Sequence, residues 1–213
     1  SDLIYFLQPI LTFWGLTRQP IDFNLLFSPF LYIVIVTLVL IVLVLIAPKF
    51  IQNSQDKSIF IVSSLIGNTG NLGIPLGIAL FGEQSVPYTS IINIANIFFI
   101  YTVGIYFYAK DQYNFRQSIK TIVKIPILWF ALIALIYNYF QLPINPQIEK
   151  MLVMGAYATI VLQLIIFGVY LAKTNIKNQN YKLSFGISFV KLTILPFVGL
   201  VVILISGIDT YIG

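Results

Sequence analysis

The chain has 213 residues, of which 59% are hydrophobic and 9% charged, with a mean hydropathy of +0.94. Soluble domains carry roughly 25% charged residues, so a water-soluble fold is excluded. The net charge is +5, and there is neither cysteine nor histidine. Disulfides, thiol chemistry, thiolate metal sites and the usual near-neutral proton carrier are therefore excluded too, and nothing calls for a cofactor, a metal or a nucleic-acid partner.

A bilayer core of about 30 Å takes about 20 apolar residues of helix. No charge interrupts the stretches between Asp22 and Lys49, Lys57 and Glu83, Glu83 and Lys110, Lys124 and Glu149, or Lys150 and Lys173. With a shorter apolar segment at the start and a stretch near the end that carries only Lys191, the predicted spans are 3–17, 29–47, 58–81, 87–109, 118–141, 148–172 and 183–206. Lipid offers the backbone no hydrogen-bond partner, and the alternation of a membrane β-barrel is missing, so each span is expected to be helical. The predicted fold class is an all-α polytopic membrane protein with about seven transmembrane helices.

The third span is unlike the others. Residues 63–81 contain Gly67, Gly70, Gly73 and Gly77 at spacings of three or four, together with Asn68, Thr69, Asn71 and Pro75. Small residues at this spacing also suit close helix packing, but packing leaves two asparagines in one turn unexplained. Pro75 cannot donate its backbone bond and crowds the turn before it, so the pattern predicts a discontinuous helix at 58–81. Opened backbone at membrane depth must face protein or a polar cavity, and a half-helix N-terminus offers partial positive charge to an anion.

In the fourth span Thr89, Asn93 and Asn96 share one helical face, and Asn93 and Asn96 are read as cavity residues. Thr159 and Gln163 in the sixth span read instead as a hydrogen-bonding pair between helices. Lys191 shares a stripe with Ser184 and Ser188, about 12 Å into the last span. It reads equally as a snorkelling side chain and as an attractor for an anion. Every carboxylate falls at a span end or in a loop, so the spans contain no carboxylate proton relay. The candidate substrate-binding residues are Asn68, Thr69, Asn71, Gly73, Pro75, Asn93, Asn96 and Lys191.

The basic residues alternate between loops. Lys49 and Lys57, then Lys110, Arg116, Lys120 and Lys124, then Lys173, Lys177 and Lys182 occupy every second connection, whereas the others hold only Arg18 and Lys150. The positive-inside rule therefore places loops 48–57, 110–124 and 173–182 in the cytoplasm, with the chain in the cell inner (cytoplasmic) membrane.

On Asn68-Thr69 followed by Gly73-Ile74-Pro75-Leu76, on Tyr5-Phe6-Leu7-Gln8-Pro9 before Phe13-Trp14-Gly15, and on Gly168 before Lys173, the chain resembles the auxin efflux carrier family of membrane transporters, in the bile acid/auxin carrier superfamily. The resemblance implies ten helices in two inverted five-helix repeats, each with a discontinuous helix, crossing at a substrate site. On that plan residues 1–112 are a partial first repeat and 113–213 a partial second, with the first, ninth and tenth helices outside the sequence. Asn68 would contact substrate and Pro75 would mark the crossover. Spans 3–17, 118–141 and 148–172 would form scaffold and a homodimer interface, and 29–109 with 183–206 the mobile elements.

The expected function is secondary transport of a small organic anion such as malonate, malate or an auxin-like acid, by alternating access. The alternatives are a structural or assembly subunit, or a membrane-embedded enzyme. For the enzyme most acid, base and nucleophilic residues are lacking.

Overall fold

The computed structural model describes residues 2–108, 115–174 and 180–206. Lys110, Lys177 and the expected boundary between repeats at 112/113 lie outside the described residues. Every regular element among them is helical. Five helical stretches are long and apolar enough to cross a membrane: Phe23–Phe50, Ser54–Phe81, Glu83–Tyr108, Pro146–Lys173 and Tyr181–Ser206. In chain order the helices are α1 (Asp2–Thr17), α2 (Phe23–Phe50), α3 (Ser54–Leu65), α4 (Ile74–Phe81), α5 (Val86–Phe99), α6 (Ile105–Tyr108), α7 (Phe115–Val123), α8 (Pro126–Tyr139), α9 (Pro146–Lys173), α10 (Tyr181–Phe189) and α11 (Leu195–Ser206).

Local chemistry fixes the helix starts. Asp22, Asn53, Asn145 and Asn180 each place a side-chain oxygen on a backbone N–H of the first turn of α2, α3, α9 and α10, which satisfies donors that a helix start leaves unpaired. Three π turns, Thr69–Gly73, Ile100–Gly104 and Val190–Ile194, join α3–α4, α5–α6 and α10–α11. Two of them lie two residues before a proline, Pro75 and Pro196. At Pro196, where helix runs through the preceding turn, the ring removes a helical N–H and crowds that turn, and the wider turn accommodates both effects.

The expected single span at 118–141 is a bent pair. Arg116–Val123 and Pro126–Tyr139 meet at 62°, because the residue before a proline is pushed out of the α region and Ile125 is extended, with φ −79° and ψ 114°. Trp129 donates its indole N–H to the Val123 carbonyl at 2.7 Å across the corner. With 14 residues, α8 is about 21 Å long.

The helices form two groups. α1 packs along α8 and α9, whereas α2 packs against α3, α5 and α11, and α10 against α3. The core of the second group is Val36, Val39, Leu43 and Ala47 with Ile61, Leu65, Phe99 and Val190. The seam between the groups is where α1 meets α5 and where α9 meets the Thr69–Gly73 turn. At the end bearing few lysines it is tightly filled. Leu11 and Trp14 meet Ile74, Val86 and Ala156, while Leu16 meets Leu25, Ile91, Ala131 and Ala134. Large apolar side chains on the outside, such as Ile41, Leu45, Leu164 and Leu192, are exposed, as a surface solvated by lipid tails requires.

Candidate functional site

The third span breaks just before the asparagines. α3 stops at Leu65, Ile66 is extended with φ −75° and ψ 113°, and Asn68 has φ −86° and ψ 61°. The Asn68 carbonyl then accepts from both Leu72 N–H (3.2 Å) and Gly73 N–H (3.0 Å), which starts the π turn. The interruption thus lies at residues 66–68 and not at Pro75. Pro75 falls in the first turn of α4, where a missing N–H is harmless.

A hydrogen-bond network braces the break, and its connectivity fixes which way each amide points. The Asn96 amide nitrogen donates to the Gly67 carbonyl (2.9 Å) and to Thr69 Oγ1 (2.9 Å). A carbonyl can only accept, so the Asn96 oxygen faces the other way and accepts from the Tyr32 hydroxyl at 2.9 Å. Thr69 Oγ1, which accepts from Asn96, donates its hydroxyl hydrogen to Asn93 Oδ1 at 2.9 Å. Asn93 must therefore present its NH₂ elsewhere. That nitrogen is buried and has no partner among the described residues, a situation that costs about 1–3 kcal/mol.

Asn93 lines a cavity of about 290 Å³ whose wall also includes Gln8, residues 67–71, Asn96, Ile97, Ile100, Tyr101, Ile125 and Ile127. The volume is at the small end of the range for small-molecule sites, roughly 300–1,000 Å³. Five amide side chains, those of Gln8, Asn68, Asn71, Asn93 and Asn96, meet there, and no charged residue lines it. The backbone at 68–71 is the start of a re-entered helix, whose first N–H groups have no intrahelical acceptor. Gly70 makes the crossing tight. A Cβ there would lie 2.9 Å from the Gln8 amide nitrogen and 3.0 Å from Asn93 Oδ1. A larger groove of about 860 Å³ runs between α2 and α10–α11, but its wall is mostly apolar, as a lipid-facing groove is, so the smaller polar cavity is the candidate site.

Of the residues singled out in the sequence, the cavity brings together Asn68, Thr69, Asn71, Asn93 and Asn96. Asn96 braces the break with both ends of its amide. Gly73, Pro75 and Lys191 do not line it; Lys191 lies in the Val190–Ile194 turn. Thr89 bonds back to the Ser85 and Val86 carbonyls and would touch a Cβ at Gly77 at 2.9 Å, so it belongs to helix packing. Thr159 bonds across to the Leu7 carbonyl at 3.2 Å, whereas Gln163 is fully buried with neither amide atom paired. Gln8 and Tyr32 were not singled out for the site. Gln8 stood in the sequence beside Pro9 as one polar residue in an apolar helix, while Tyr32 gave no signal apart from its hydroxyl.

Comparison with known proteins supplies the family. The family model described as membrane transport protein matches residues 3–118, more than half of the chain, and spans α1, the break and α5. No curated protein and no solved structure matches the chain. The chain belongs to the membrane transport protein family, that of the auxin efflux carriers, and is a multi-pass membrane transporter.

Proposed function

We propose that the chain carries a small organic anion, with the broken helix at 66–73 and Asn93 forming one wall of the binding site, by alternating access at the seam between the two helix groups. The observation that carries this reading is the Asn93 NH₂, a buried donor without a partner among the described residues, in the wall of a cavity rich in amides. Neutral amide donors and a helix start suit a carboxylate, because they stabilise negative charge without a fixed counter-ion. An organic cation would find no acidic side chain in the cavity wall. The lysine distribution supports a cytoplasmic position for the Lys49, Lys120 and Lys182 loops.

The test is binding of a panel of mono- and dicarboxylates and of indole acids to the purified full-length protein, followed by flux in proteoliposomes. A hydrogen bond to a charged group contributes about 1.5–3 kcal/mol, so Asn93→Ala is expected to weaken the bound anion roughly 10- to 150-fold. Unchanged affinity for every bound carboxylate in Asn93→Ala and Asn68→Ala would refute the assignment.

A further inference from the structure

We propose that Arg18, Glu83 and Tyr157 form a latch that holds the seam shut at its lysine-poor end, so that the transporter opens there only when the latch parts. The Arg18 guanidinium lies 2.6 Å from Glu83 Oε2, and the Tyr157 hydroxyl donates to the other oxygen of the same carboxylate. Arg18 also sits over the Trp14 ring, 4.8 Å from its centroid. The three anchors come from different places: Arg18 follows α1, Tyr157 is on α9, and Glu83 lies in the short 3₁₀ turn between α4 and α5. The carboxylate is thus the point at which the element bearing the broken helix is tied to both long helices of the other group.

The rest of the seam shows why a tie at this end has a consequence. Between the latch and the cavity the two groups touch without a gap. A Cβ on Gly15 would lie 2.7 Å from Ser90 Oγ and 2.8 Å from Val86 Cγ1, and Ser90 is 1% exposed. Past the break the cavity wall continues the other way, along Ile97, Ile100 and Tyr101 of the descending helix and Ile125 and Ile127 at the α7–α8 corner. The cavity wall thus lies toward the lysine-rich end, and among the described residues the side-chain polar contacts across the seam at the other end are those of Glu83.

This inference rests on the alternating-access reading, but its test uses no substrate, so the two stand or fall separately. The sequence contains no cysteine, so single cysteines report cleanly on access. In the purified full-length protein, maleimide labelling rates are measured for Ser90→Cys, on the closed side of the cavity, and Tyr101→Cys, in the cavity wall on the lysine-rich side, each with and without Glu83→Gln or Arg18→Gln. For a partly exposed ion pair the expected change is about 1.4- to 5-fold. Labelling at position 90 should speed up and labelling at 101 should slow down, because one seam cannot be open at both ends. Glu149→Gln, which removes a carboxylate at the same end of the molecule, should change neither. Unchanged rates at position 90 would overturn the latch. So would acceleration at both positions, which reports general loosening, or an equal response to Glu149→Gln.

Discussion

Replacing Gly70 by alanine tests the crossing where it is tightest. The added methyl would meet the Gln8 amide nitrogen at 2.9 Å and the Asn93 amide at 3.0 and 3.2 Å. Gln8 can swing away as the end of a flexible side chain. Asn93 is held by Thr69 at 2.9 Å and can retreat only by giving up that bond, worth about 0.6 kcal/mol in a membrane protein. Overpacking adds a cost in stability of about 1–3 kcal/mol, and displacing the Asn93 donor removes a hydrogen bond to a charged group worth about 1.5–3 kcal/mol, a loss of affinity for the bound anion of up to roughly 10- to 150-fold. Gly73→Ala is the internal control, since its Cβ would sit 3.7 Å from the nearest neighbour and replacing glycine within a helix recovers up to about 1 kcal/mol. Isothermal titration with an anion that the parent protein binds, alongside thermal unfolding of both variants, measures the contrast. Equal affinities for Gly70→Ala and the parent, or a larger loss at Gly73, would refute the geometry of the crossing.

Lys191→Ala is expected to leave anion affinity within about two-fold of the parent in the same titration, because Lys191 does not line the cavity; a ten-fold loss would restore it as an attractor. Asn138→Leu should lower thermal stability by about 1–3 kcal/mol, measured in detergent by unfolding midpoint. It strands the carbonyls of Leu16 and Gln19, which the Asn138 amide holds at 2.5 and 2.6 Å. Anion affinity should be retained in that variant, since the bond ties α8 to the end of α1 far from the break.

The spans were legible because lipid makes a harsh demand. An uncharged stretch of some 20 residues has few other uses, and six of the seven predicted segments correspond to single helical stretches of the fold, the one at 58–81 interrupted at 66–68. The exception shows the limit: Pro126 has the same composition whether it opens a helix or bends one, and only the extended Ile125 decides it. At the site, glycine and asparagine crowded into one turn announced a break, and the break is there. Its position shifted by several residues because proline tolerates the first turn of a helix as readily as it ends one. Asn93 and Asn96 looked alike in sequence, sharing a face three residues apart. The Gly67 carbonyl and the Tyr32 hydroxyl separate them, binding both ends of one amide and leaving the other a free donor. Contacts of that kind, joining residues 29 and 64 positions apart, leave no trace in a local pattern.

If the two helix groups move as proposed, the contact of Gly15 with Ser90 and Val86 bears on how easily they shift past each other. Where a glycine faces the neighbouring helix, α1 offers no protruding knob for that helix to lock around, so the surfaces can slide with little steric resistance. Friction along the middle of the seam would then be low, and the barrier to movement would be concentrated in a few polar contacts at its margins. A substitution that roughens this track, such as Gly15→Val, should slow exchange between conformations even if it left the binding site untouched.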